Sequence, residues 1–173
     1  ELAAIAALKG GATHYGPAGG LPELRQAIAE DSTARRGTKA TPEKVVVTPG
    51  GKPIMFYLIL ALVDPGDEVL YPNPGFPIYE SMIRFSGAKA VPLPLRVERG
   101  FRADVAELEA LITPRTKLVI VNSPHNPTGA MLTADELAAI GKLASARGLW
   151  VLSDEIYSRI TYGLEHHTLL RWC

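Results

Sequence analysis

The sequence predicts an α/β fold with a mostly parallel sheet. Three observations lead there. Short β-branched or apolar runs alternate with longer stretches of helical periodicity along the whole chain. Gly- and Pro-rich turns separate them. The clearest strand, Leu118-Val119-Ile120-Val121-Asn122, lies between two such helical stretches, as a crossover connection requires. At 173 residues, 47% hydrophobic and 21% charged, the chain is long enough for one domain with a sizeable core.

The elements follow in order. The apolar spacing Leu2, Ile5, Leu8 reads as the tail of a helix. Residues 10 to 20 form a Gly- and Pro-rich loop containing Tyr15. A helix with Leu21, Leu24 and Ile28 on one face starts near Pro22 and stops at Arg35-Arg36-Gly37, with cationic charge and a glycine at its end. Val45-Val46-Val47-Thr48 reads as a buried strand. The next helix, residues 53 to 63, is apolar almost all round and is expected to be buried on most sides. The turn Asp64-Pro65-Gly66-Asp67 leads to a strand, Glu68 to Tyr71.

A helix over 77 to 86 comes next, then a strand from Ala90 to Pro94 whose prolines suggest an edge position. Residues 104 to 112 read as helical. Thr133-Ala134-Asp135-Glu136 has capping-box spacing and opens a helix that ends at Arg147-Gly148. Trp150 to Asp154 is the last strand.

Charge and cysteine content narrow the functional classes. Eighteen basic residues balance eighteen acidic ones, so nothing points to nucleic acid or an anionic membrane. One cysteine, Cys173, excludes a disulfide framework or a cysteine-rich metal site and fits a reducing, cytoplasmic setting. The longest apolar run, Ile54 to Val63, is too short for a membrane span, and no signal-peptide pattern opens the chain.

In open α/β sheets, ligands bind beyond the carboxyl ends of the strands. Gly50-Gly51-Lys52 opens a helix; its unpaired N–H groups, the helix dipole and the lysine suit a phosphate, while the plainer reading is a strand-to-helix turn. Pro53 follows the lysine, so the P-loop pattern is not met. Asn126 lies between two prolines, either as a well-positioned amide or as a turn former. Asp154 at a strand end either caps the following segment or acts on a ligand. Phe76 alone reads as core, and Tyr15 alone carries little.

Together these segments resemble the class I aminotransferases of pyridoxal-phosphate (PLP) fold type I, especially the bacterial aspartate and aromatic branch. The resemblance runs from about residue 13 to 163 and rests on four segments. They are Tyr15-Gly16-Pro17-Ala18-Gly19-Gly20-Leu21-Pro22-Glu23-Leu24-Arg25, Gly50-Gly51-Lys52, Asn122-Ser123-Pro124-His125-Asn126-Pro127-Thr128-Gly129 and Ser153-Asp154-Glu155-Ile156-Tyr157. The resemblance implies a three-layer αβα large domain, incomplete in these residues. It implies that Asp154 pairs with the PLP ring nitrogen and that Tyr157 and Asn126 hydrogen-bond the ring's phenolic oxygen. It gives Asn126 and Phe76 a place in substrate binding as well, with Phe76 stacked on the ring for about 0.5–1.5 kcal/mol beyond area burial. Gly50, Gly51 and Lys52 match the phosphate cradle. Tyr15 matches a tyrosine that reaches the neighbouring subunit's cofactor, which implies a homodimer. The substrates implied are an amino acid and a 2-oxo acid, with no metal, nucleic acid or membrane partner.

The family's Schiff-base lysine follows the aspartate, yet none of the 19 residues after Asp154 is lysine. Residues 1 to 173 are therefore expected to be a partial PLP-binding domain, inactive alone, lacking the lysine region and the C-terminal domain that clamps the substrate's α-carboxylate. A β-lyase of the same fold and a lysine-less binding module are the alternatives. An uncovered sheet edge or apolar face is expected to make the isolated chain associate.

Overall fold

A computed structural model describes residues 1–172; Cys173 and the expectation attached to it lie outside the described residues. The chain divides into two compact units, Glu1–Thr48 and the residues from Pro49 onward.

In the first unit, α1 (Leu2–Lys9) and α2 (Pro22–Arg36) flank the glycine loop. Pro22 sits at the start of α2, where a missing N–H costs nothing, and Gly37 ends it at φ 63°. Of the α2 side chains only Ala29 is buried; Leu21, Leu24 and Ile28 stay exposed. The expected strand at Val45 to Thr48 is not formed. The backbone is extended at Val45 (φ −106°, ψ 127°), but its polar groups bond outside any ladder. The Val47 N–H donates to the Gly19 carbonyl at 2.9 Å, and Arg25 Nε donates to the Val45 carbonyl at 2.8 Å. Gly20, at φ 101°, allows this approach, since a Cβ there would lie 2.7 Å from Val47 Cβ.

The second unit is a three-layer sandwich. Its elements are α3 (Gly51–Leu62), β1 (Glu68–Asn73), α4 (Ile78–Phe85), β2 (Lys89–Pro94), α5 (Val105–Leu111), β3 (Thr116–Asn122), α6 (Ala134–Arg147) and β4 (Trp150–Asp154). The four strands pair in parallel in the order β2-β1-β3-β4. β2, with its two prolines, lies at an edge, as a residue without an N–H favours. Alternate residues of the central strands feed two cores. Val69, Tyr71, Leu118 and Ile120 pack beneath Met55 and Ile59 of α3 and Ile83 of α4. Leu70, Val119 and Val121 pack on Leu108 of α5 and Leu137 and Ile140 of α6. Thr133 and Glu136 form the expected capping box, and Gly148 closes α6 at φ 63°.

α3 departs from expectation. Only Met55 and Ile59 are buried, a single stripe against the sheet, while Ile54, Tyr57, Leu58 and Leu60 are exposed. A helix in an outer layer needs one apolar stripe, and among the described residues nothing covers its other side. No helix among the described residues is long and apolar enough to cross a membrane.

Glu68 opens β1 at the amino end of the sheet and is 1% exposed. Its carboxylate accepts from the Thr113 hydroxyl at 2.6 Å, Lys89 Nζ at 3.0 Å and an Arg115 guanidinium nitrogen at 3.2 Å. The Thr113 hydrogen bond, with help from the two cations and against the cost of burial, holds its pKa down to about 2.

Two predictions follow from this arrangement. A folded-state pKa depressed below the unfolded value stabilises the fold above that unfolded value, and the benefit disappears as pH falls toward the folded one. Glu68→Gln should therefore lower unfolding free energy at pH 7 by about 2 kcal/mol. In urea titrations the gap to wild type should narrow between about pH 5 and pH 2. Separately, the 173-residue chain produced alone should self-associate through its exposed apolar surface, and Leu58→Lys with Leu60→Glu should reduce this. Sedimentation velocity of both proteins checks it; a monomeric wild-type chain would count against the assignment.

Candidate active site

Chain order runs outward from β1 to β2 and then crosses to β3 and β4. The switch point thus lies between β1 and β3, where the loops beyond their carboxyl ends diverge and leave a crevice. Phe76 follows β1, Asn126 follows β3, and Asp154 ends β4 next door.

The loop after β1 turns sharply. A Cβ at Gly75 would sit 2.1 Å from the Pro72 carbonyl oxygen, so only glycine fits there. The turn delivers Phe76, whose carbonyl accepts the Tyr79 N–H at 3.0 Å as α4 begins. The Phe76 and Tyr79 rings meet edge to face, with centroids 5.8 Å apart at 86°. Tyr79 is fully buried, and its hydroxyl donates to Asp154 Oδ2 at 2.6 Å. Burial, then the bond to Asp154 and its charge, push the phenol well above its ordinary pKa, so the group remains a donor.

Asn122, the last residue of β3, pairs in register with Asp154, the last of β4. Its buried side chain ties the two loops together. Nδ2 donates to the Asp154 carbonyl at 3.0 Å and to the Pro124 carbonyl at 3.1 Å, and Oδ1 accepts the Asn126 N–H at 2.7 Å. The Ser123 N–H also donates to the Asp154 carbonyl, at 3.2 Å. His125, 5% exposed, braces the loop from inside: its Nδ1 lies 2.8 Å from the Thr128 hydroxyl oxygen, and its N–H donates to the Ala130 carbonyl. Burial lowers the imidazole pKa, which favours the neutral ring at pH 7.

The Asp154 carboxylate keeps one oxygen on Tyr79, while Oδ1 accepts the Ile156 N–H at 3.3 Å. Next to it, Glu155 turns inward. Its Oε1 accepts from the hydroxyls of Ser153 and Thr168, both at 2.9 Å, and from the Leu169 N–H at 3.2 Å. The turn that carries Tyr157 therefore begins from a fixed base.

The structure brings Asn126 and Tyr157 together on the wall of an open pocket of about 410 Å³, shared with Pro124, Met131, Ile160 and Tyr162. Phe76 joins Asp154 through Tyr79. Gly50, Gly51 and Lys52 stand at the N-terminus of α3, in the helical layer that includes α4. Gly50 takes φ 102°, which excludes most side chains, and the space where a Gly51 Cβ would lie is open. Tyr15 belongs to the first unit and is fully exposed there.

Sequence reasoning quoted Asn122 within a motif without giving it a role, and missed Tyr79. A polar residue closing an apolar buried strand is a signal, because a buried amide must find partners. Tyr79 sits three residues after Phe76, one turn along the same junction, and that spacing was its only mark.

The family model described as aminotransferase class I and II matches residues 1–171. The probable aspartate/prephenate aminotransferase of Aquifex aeolicus is 41% identical over 161 residues, covering 93% of this chain and 41% of that protein. The aspartate/prephenate aminotransferase of Thermus thermophilus is 44% identical over 164 residues, covering 95% of this chain and 43% of that protein. The solved structure of the aspartate aminotransferase from Thermus thermophilus with maleate superposes with a TM-score of 0.97 at 43% identity, covering 98% of this chain and 44% of that one. The chain thus spans about two fifths of the length of the curated relatives it matches.

Replacing Asn122 removes three hydrogen bonds at once and leaves the Pro124 carbonyl and the Asn126 N–H without that partner. Asn122→Leu should cost about 3 kcal/mol in urea unfolding, well above an ordinary surface substitution.

Proposed function

Since the chain belongs to the aminotransferase class I and II family, we propose that it forms part of the cofactor-binding large domain of a PLP-dependent aminotransferase. The reaction moves an amino group between an L-amino acid, aspartate-like or aromatic, and a 2-oxo acid such as 2-oxoglutarate. The observation that carries this reading is Asp154 at the carboxyl end of β4, its carboxylate held by Tyr79 through one oxygen and its backbone carbonyl held by Asn122 and Ser123.

The residues present fit PLP. An anion suits a protonated ring nitrogen, an amide and a phenol suit the ring oxygen, and a glycine-opened helix N-terminus with Lys52 suits the phosphate. When bound, PLP supplies an electron sink for the pair released at the substrate's Cα. Asp154 holds the proton on the ring nitrogen. Asn126 and Tyr157 orient the phenolic oxygen, and Asn126 also directs the substrate carboxylate. Phe76 stacks on the ring and borders the substrate. Gly50, Gly51 and Lys52 bind the phosphate, and Tyr15 completes the site of a second subunit in a homodimer. The lysine that anchors the cofactor and moves the Cα proton is assigned to chain beyond residue 173, as is the arginine for the α-carboxylate. We place the protein in the cytoplasm, a reading supported by its single cysteine.

The test uses the full-length protein carrying this chain. With PLP and borohydride, peptide mass spectrometry should find the reduced adduct on a lysine beyond residue 173, and aspartate should yield its amino group to 2-oxoglutarate. Asp154→Asn should lower kcat by about 10²–10³-fold. Failure of the wild-type protein to take up PLP overturns the reading.

A further inference from the structure

We propose that Tyr79 is a positioning residue of this site: its hydroxyl claims Oδ2 of Asp154 and so presents Oδ1 to the cofactor's ring nitrogen. The inference rests on the PLP reading above and adds to it a residue outside the recognised motifs.

Three observations carry it. The bond is short, 2.6 Å, in the range of a hydroxyl donating to a carboxylate. The two residues are 75 positions apart, so the contact is tertiary and bridges α4 to the end of β4. Tyr79 is fully buried, with its ring perpendicular to that of Phe76 and its N–H bonded to the Phe76 carbonyl. A phenylalanine would fill the same volume; what the hydroxyl adds is the bond, and without a partner it would be costly to bury.

The consequence concerns rotation. A carboxylate at a strand end is free to turn about its last side-chain torsion, which is broad and two-fold. Tyr79 restricts that freedom by fixing Oδ2 at 2.6 Å, while Oδ1 carries only the longer 3.3 Å bond from the Ile156 N–H. The same turn of chain sets Phe76, so a single junction between β1 and α4 places both the stacking ring and the carboxylate's tether. The Tyr157 phenol is the other titratable group near the Tyr79 hydroxyl.

The experiment is a double-mutant cycle in the full-length holoprotein with Tyr79→Phe, Asp154→Asn and the pair. PLP affinity and the pH midpoint of the bound cofactor's absorbance are measured for each, with circular dichroism and Tm as folding controls. Tyr79→Phe should weaken PLP binding about tenfold and raise that midpoint, as expected for loss of one charge-assisted hydrogen bond. In the Asp154→Asn background the same change should do almost nothing further, because Tyr79 acts through Asp154. Full additivity of the two variants, or an unchanged affinity and midpoint in Tyr79→Phe, overturns the role of Tyr79 and leaves the functional reading standing. A wild-type protein that takes up no PLP removes both. If Tyr79→Phe does not fold, 3-fluorotyrosine placed at position 79 keeps the packing and makes the hydroxyl a stronger acid. A midpoint that shifts with this residue supports the proposal, and one that does not move overturns it.

Discussion

The hydrogen bonds of one buried asparagine hold the carboxyl end of this sheet together. Asn122 closes β3, and every polar atom of its side chain is used within the two loops that form the site. It fixes the Asp154 carbonyl, and with it the height at which β4 ends. It fixes the Asn126 N–H, and with it the start of the proline loop. A water-filled gap at this point would let the strands fray and the loops drift apart. A dry, fully paired amide makes their separation a property of the strand register, since Asn122 and Asp154 are direct partners in the ladder.

The wider fold explains why the ladder is rigid enough for this. β1 and β3 are central, and their residues alternate between two dry cores, one under α3 and α4 and one under α5 and α6. A slip of one residue would exchange the faces of every side chain, so the register is strongly specified. The same topology brings the end of β1 beside the end of β3 and opens a crevice between their loops. Phe76 and Asn126, far apart in sequence, therefore follow the carboxyl ends of neighbouring strands.

Much of this was legible in the residues. The parallel sheet, the edge position of the proline-bearing β2, the capping box at Thr133 and the glycine stops at Gly37 and Gly148 all follow local rules that tertiary context did not override. The run Val45-Val46-Val47-Thr48 did not follow them. β-branched residues favour an extended backbone, and the backbone is extended, but a strand also needs a neighbour, and here Gly19 and Arg25 take the polar groups instead. The apolar circumference of α3 was misread for a related reason. Hydrophobicity states that a surface avoids water; it does not state which molecule or segment covers it. Asn126 and Asp154 were singled out through motifs, whereas the bonds of Asn122 and Tyr79 to Asp154 span 32 and 75 residues, and distances of that kind are not written in any local pattern.

The three inward carboxylates separate structural from chemical use. Glu68 spends its oxygens on a hydroxyl and two cations, and Glu155 gathers two hydroxyls and an N–H on a single oxygen. Asp154 takes one short bond from Tyr79 and one long bond from the Ile156 N–H, and it is less buried than either. A carboxylate has about four acceptor positions. Glu68 and Glu155 use theirs to join segments of chain, and the Glu68 charge is answered by Lys89 and Arg115. Asp154 is restrained enough to keep one orientation and retains acceptor capacity beyond these two bonds. That combination, oriented by the protein but incompletely satisfied by it, is what a group that binds a cationic ring nitrogen needs. A carboxylate fully paired at home would have to break its own bonds first, and one with no tether would lose rotational freedom on binding.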